Sequence, residues 1–169
     1  MEQREGKEMR HLKVVPSDLK SDEAYIDQIE ATSIEQKYPL SICGTLKKLI
    51  ELVSLGNNWD SYGAKKPSAE ASLGALNLAM ELFEEDTPMP EIFPVANGNV
   101  QFEWSCFGLD LEIEVITKLT SIVCFENLES GESWEKEFTY DLTELRNIIM
   151  EITSKNRDSK TPMLHVVHG

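Results

Sequence analysis

The side chains best suited to chemistry are carboxylates in two segments where polar and apolar residues alternate: Glu103, Asp110, Glu112 and Glu114. Such alternation is typical of half-buried β-strands, so we expect these carboxylates on one polar face of a sheet. That face is an ordinary solvated surface, a docking site for a basic partner, or a set of paired carboxylates for acid–base or metal chemistry. The last function needs a pocket and shifted pKa values, which a solvent-exposed sheet does not supply.

Acidic residues are concentrated in this part of the chain. Residues 100–140 contain nine acidic residues against two lysines, and the whole chain has a formal net charge of −14. A charge of this sign disfavours nonspecific binding to nucleic acids and to anionic membranes. We therefore expect a basic protein as the partner, with no direct nucleic-acid binding and no membrane association.

A second unusual segment lies between two predicted helices, where Trp59, Asp60 and Tyr62 precede Gly63. Aromatic residues beside polar ones on a loop can form a recognition surface. In the alternative, both rings pin the loop to the core, Asp60 caps a turn and Gly63 supplies an unusual backbone angle. We retain Trp59, Asp60 and Tyr62 as candidate binding residues, and we expect Trp59 and Trp104 to be largely buried.

Signatures of catalysis are sparse in this sequence. It contains no glycine-rich phosphate loop, no nucleophile elbow and no zinc-finger spacing. The cysteines are predicted to be reduced thiols, and the histidines fall in the terminal segments: Cys43, Cys106 and Cys124; His11, His165 and His168. We expect no catalytic residue, no cofactor and no metal.

Two functional hypotheses follow from these residues. The first is a non-catalytic interaction or regulatory protein, such as an antitoxin-like, inhibitory or accessory factor, that binds a basic partner protein. The alternative is a small hydrolase-type enzyme with a carboxylate site near Asp60 and Glu103. A concave pocket joining Asp60 to the sheet carboxylates would favour the enzyme.

Helices, then a strand meander, then a final helix must position these side chains. The predicted helices lie near 41–55, 68–85 and 141–154, and an antiparallel sheet of four to five strands lies at about 91–140. This order predicts an α+β fold in which the helices cover one face of the sheet. In the second helix the spacing predicts a buried stripe formed by Leu73, Leu76, Met80 and Phe83.

The length of the chain, 169 residues, suits one domain with a substantial core. We expect a flexible N-terminal arm at 1–20, a single domain at 21–155 and a loose tail at 156–169. The sequence shows no run of 18 apolar residues and no signal-peptide pattern. It therefore predicts a cytoplasmic protein.

Residues 57–116 carry a series of short motifs: W-D-x-Y-G-A, P-S, P-x-x-x-P, G-x-V-x-x-E-W and L-E-I-E. Their residues are Trp59, Asp60, Tyr62, Gly63, Ala64, Pro67, Ser68, Pro90, Pro94, Gly98, Val100, Glu103, Trp104, Leu111, Glu112, Ile113 and Glu114. This part of the chain resembles a widespread family of small, uncharacterised bacterial proteins. The resemblance implies an α+β fold and a bacterial or phage origin, and it brings no activity with it.

Overall fold

The structure is a computed structural model that describes residues 38–161. These residues all belong to one compact unit. Several predictions fall outside the described residues. They concern the arm at 1–20, the beginning of the predicted domain at 21–37, the end of the predicted tail at 162–169, and all three histidines.

Helices and strands follow one another in the predicted order, which confirms the α+β fold. The elements are α1 (Leu40–Val53), α2 (Ala69–Leu82), β1 (Glu91–Pro94), β2 (Val100–Cys106), β3 (Leu109–Val115), β4 (Thr120–Asn127), β5 (Glu132–Thr139) and α3 (Thr143–Lys160). Ser68 begins α2 as predicted, because its hydroxyl accepts a hydrogen bond of 3.0 Å from the Ala71 N–H.

The five strands form one antiparallel meander in the order β1-β2-β3-β4-β5. Asn97 and Gly98 close the first hairpin, and Gly98 has a φ of +97°, which residues with a Cβ rarely adopt. The register pairs Phe102 with Ile113, and Ile113 with Val123. The apolar residues of neighbouring strands therefore share one face of the sheet.

The three helices cover this apolar face. Phe102 and Ile113 of the sheet are fully buried, together with Ile149 and Ile152 of α3. Trp104 is only 4% exposed, and its indole N–H donates a hydrogen bond of 2.8 Å to the Pro88 carbonyl. The core therefore lies between one face of the sheet and the helical layer, and no element within residues 38–161 covers the other face of the sheet.

Helix α2 buries a different stripe from the predicted one. Leu73 is 61% exposed and Met80 is 41% exposed, so their predicted burial is wrong, while the predicted burial of Phe83 is correct. The buried side instead consists of small residues and two leucines: Ala71, Ser72, Gly74, Ala75, Leu78, Ala79 and Leu82. Small residues allow the helix backbone to approach the sheet closely, and they contribute little to an apolar pattern.

Helix α3 continues to Lys160, beyond its predicted end at 154, so the segment 156–160 is not a loose tail. The apolar periodicity ends at Ile152, but polar contacts hold the next turns. The Asn156 amide donates a hydrogen bond of 2.7 Å to the Asp86 carbonyl, and Arg157 Nε lies 2.9 Å from the Asp86 carboxylate. Contacts of this kind are invisible in a hydrophobic pattern.

Candidate functional site

The sheet face turned away from the helices carries eight carboxylates. We call it the acidic face, and its acidic residues are Glu91, Glu103, Asp110, Glu112, Glu114, Glu126, Glu135 and Glu137. The register places Glu91, Glu103 and Glu112 side by side in one row across β1, β2 and β3. The four carboxylates singled out from the sequence therefore do share one face, and each is exposed or half-buried.

Positive charge is missing from the strand positions of this face. Lys136, the one lysine within the five strands, pairs in register with Val123 and belongs to the opposite side of β5. Its ammonium group lies 4.3 Å from the centre of the Trp134 ring and 2.6 Å from a Glu144 carboxylate oxygen. Lys136 is thus engaged on the helical side and does not offset the negative charge of the acidic face. A count of charges along the sequence, which includes Lys136, therefore underestimates the negative charge of this face.

Neutral amides, not cations, support the carboxylates of this face. Gln101 Nε2 donates to Glu103 Oε1 at 2.7 Å and to Glu112 Oε2 at 3.3 Å. Asn97 and Asn99 both donate to Glu114 Oε1, at 2.9 Å and 2.6 Å. These hydrogen bonds orient the carboxylates without changing their charge, so the face stays strongly negative.

Cys124 lies within the acidic face, paired in register with Glu112 on one side and Glu135 on the other. Its burial, followed by the charge of Glu135, raises the pKa of the Cys124 thiol. The thiol therefore stays protonated at neutral pH and is a poor nucleophile. Sequence reasoning treated this cysteine only as a reduced thiol, although its alternation with Val123 and Phe125 places it on the polar side of β4.

The second candidate segment is the loop at 57–66, which we call the WD loop. Side chains within it bind its own backbone: Asp60 Oδ1 accepts hydrogen bonds from the N–H groups of Tyr62 and Ala64, at 2.8 Å and 3.0 Å. Asn58 Oδ1 accepts another from the Gly63 N–H at 2.7 Å. These bonds hold a tight turn in which Asn58, Ser61 and Gly63 all have positive φ.

The two aromatic residues of the WD loop have different surroundings. Trp59 is half-buried, so its predicted burial is partly confirmed. Its indole N–H donates a hydrogen bond of 3.0 Å to the Lys65 carbonyl within the same loop. Ala64, only 3% exposed, is the loop residue that reaches the core. Tyr62 is 93% exposed and does not pin the loop. An exposed ring on a well-bonded loop is available for contact with a partner.

The WD loop is joined to the first hairpin. The Lys65 N–H donates to the Ala96 carbonyl at 2.9 Å, and the Ser68 N–H donates to the Gly98 carbonyl at 2.8 Å. The same hairpin turn carries Asn97, which binds Glu114 on the acidic face. The two features found separately in the sequence are therefore connected through the hairpin between β1 and β2.

Asp60 makes the WD loop sensitive to acid. Hydrogen bonds from the backbone N–H groups of Tyr62 and then Ala64 lower the pKa of Asp60 below the usual value of 3.8. Because this pKa is lower in the folded protein, the stabilisation is present above 3.8 and is lost as the pH falls through the folded value. We expect the difference in Tm between the wild type and Asp60→Asn to shrink as the pH is lowered from 7 to 2. A constant difference would contradict this role for Asp60.

Asp60 and Glu103 make separate contacts. Asp60 binds the backbone of its own loop, whereas Glu103 binds Gln101. A depression of about 600 Å³ lies at the start of α2, beside Lys65 and Lys66, and one of about 260 Å³ lies beside β1. Neither depression is lined by Asp60 or Glu103. Within residues 38–161, no group of three His, Cys, Asp or Glu side chains is arranged to hold a metal ion.

Comparison with known proteins adds no relative to this description. The chain matches no protein-family model, no curated protein and no solved structure. The resemblance of residues 57–116 to a bacterial family stays a prediction. None of the described helices has both the length and the apolar character needed to cross a membrane.

Proposed function

We propose that this protein is a non-catalytic interaction protein, an antitoxin-like, inhibitory or accessory factor, whose acidic face binds a basic partner protein. One observation carries the proposal: eight carboxylates share one sheet face whose strand positions hold no lysine or arginine. The exposed Tyr62 on the WD loop is the second candidate contact.

Electrostatics supports this proposal. Glu103 and Glu112 lie directly opposite each other on neighbouring strands, as do Asp110 and Glu126. Like charges in such positions repel and reduce stability. A basic surface placed over them removes the repulsion and also accelerates association through long-range attraction. Repulsion between these carboxylates thus lowers the stability of the free protein, and a bound partner of opposite charge restores it.

Charge reversal on the acidic face tests the proposal. We expect Glu112→Lys combined with Glu114→Lys to weaken binding of a basic probe protein, cytochrome c, by at least about tenfold at low ionic strength. Wild-type binding should itself weaken as salt is added, because salt screens exposed charges. Titration calorimetry on the folded variants measures both effects. Stability should change little, because the reversal removes repulsion between neighbouring carboxylates but also removes the acceptors of the Asn97, Asn99 and Gln101 amides.

A matched control separates the acidic face from net charge. Glu85→Lys with Asp158→Lys changes the net charge by the same amount, but these exposed residues lie after α2 and in the last turns of α3. We expect this variant to bind the probe nearly as well as the wild type. Equal losses of affinity in the two double variants would refute the proposal, because binding would then follow overall charge and not the acidic face.

The proposed setting is the cytoplasm, where Cys43, Cys106 and Cys124 would stay reduced. The hydrolase alternative stays a prediction, and Asp60 and Glu103 line neither of the two depressions described above.

A further inference from the structure

The two edges of the sheet differ in how open they are. β1 is four residues long, ends at Pro94, and has Lys48 of α1 and Met89 beside it. β5 is eight residues long, contains no proline and, among residues 38–161, pairs only with β4. Proline and short length block strand pairing. The edge at β5 is therefore the one that another strand can extend.

The outer side of β5 has unused backbone hydrogen-bonding groups. In an antiparallel ladder, alternate residues direct their N–H and C=O groups toward the partner strand, and the residues between them point away. In the described part of the chain, the backbone groups of Ser133–Phe138 form no hydrogen bonds other than those with β4. Three of the six residues from Ser133 to Phe138 therefore direct their backbone groups away from β4.

The side chains of β5 restrict which strand can pair there. Glu135 and Glu137 lie on the acidic face, and Trp134 and Phe138 lie on the helical side. The Trp134 ring is half-buried and packs against Phe125, with 5.3 Å between ring centres. A neighbouring strand would thus meet carboxylates on one side, and on the other side the Trp134 ring with Lys136, whose charge is already paired with Glu144.

A second copy of β5 is a poor partner for this edge. Pairing two β5 strands would bring Glu135 and Glu137 of each copy onto one face, where like charges repel. A strand with lysine or arginine at every second position would instead be attracted to this edge, because each basic residue would lie beside a carboxylate. The charges on β5 therefore act against self-association and in favour of a basic strand.

We propose that the partner binds by adding a basic strand to the outer edge of β5. Its lysine or arginine residues join the acidic face beside Glu135 and Glu137, and its alternate small or apolar residues lie beside Trp134. This inference rests on the proposed function, and it adds the conformation and the residue pattern of the segment that is recognised.

A nine-residue synthetic peptide, in which lysine alternates with threonine or valine, tests the strand addition. Two N-methylated versions carry the methyl groups either on every lysine nitrogen or on every threonine and valine nitrogen. Both keep the charge and the side chains of the parent peptide. In an added strand, either the lysine N–H groups or the threonine and valine N–H groups point toward β5, but not both sets. We expect one version to bind at least about tenfold more weakly than the parent and the other to bind nearly as well.

Hydrogen exchange provides the second measurement. The outward-facing amides between Ser133 and Phe138 should exchange quickly in the free protein and become protected when the parent peptide is bound. Equal effects of the two methylation patterns, or binding without protection in β5, would overturn strand addition. Binding of cytochrome c without binding of the parent peptide overturns strand addition alone. Binding of neither probe overturns the proposed function as well.

Discussion

Trp104→Ala will lower the free energy of unfolding by about 3–5 kcal/mol, the range for truncating a core aromatic residue. The ring is 4% exposed and lies edge-on to Phe83 and Phe102, with 5.5 Å and 6.1 Å between ring centres. The variant leaves a cavity between the sheet and the end of α2, and it removes the donor of the hydrogen bond to Pro88. Chemical denaturation measures this loss.

Trp104→Phe is the matched control for that variant. It keeps an aromatic ring against Phe83 and removes only part of the volume and the hydrogen bond, so we expect a loss of about 1–2 kcal/mol. Trp59→Ala should also cost less than Trp104→Ala, because Trp59 is only half-buried. A loss below about 1 kcal/mol for Trp104→Ala would show that this ring is not part of the core.

Gly74→Ala will lower the free energy of unfolding by about 1–3 kcal/mol, although alanine is the better helix former. A Cβ at position 74 would lie 2.5 Å from the Thr117 carbonyl oxygen and 3.0 Å from a Val115 methyl carbon. The carbonyl belongs to the backbone between β3 and β4, so α2 itself must move away from the sheet. Thermal or chemical denaturation of the variant measures the cost.

Gly44→Ala provides the control at the middle of α1. The three atoms nearest to a Cβ there all belong to the flexible side chain of Met89, which is 49% exposed. We expect this variant to be neutral or slightly stabilised, because only the gain in helix propensity remains. If Gly74→Ala were stabilised as much as Gly44→Ala, the close approach of α2 to Thr117 would be refuted.

Sequence patterns predicted the sheet better than they predicted the packing of the helices. Strict alternation in β2 and β3 gave both the strands and the side of each residue, because a strand repeats every two residues. In α2 the same method favoured the large residues Leu73 and Met80. The contact with the sheet is made by alanines and Gly74, and apolar spacing does not reveal such a close approach.

The candidate site was only partly predictable for similar reasons. Glu103 and Glu112 follow from local alternation, and so does the polar side of Cys124, but the place of Glu91 depends on pairing between strands. Lys136 was counted against the acidic segment, although its side chain lies on the helical side. The link between the WD loop and the first hairpin rests on a hydrogen bond from Lys65 to Ala96, and such long-range pairing leaves no periodic signal.

The central claim is that the acidic face is the surface that a basic partner covers. Carbodiimide labelling of carboxylates with glycine ethyl ester, read by mass spectrometry, measures this residue by residue in the free protein and in its complex with cytochrome c. We predict reduced labelling of Glu103, Glu112 and Glu135 in the complex, with Glu85 and Asp158 unchanged. Unchanged labelling of the acidic face in a complex that has formed would contradict the account and would move the docking site to another surface.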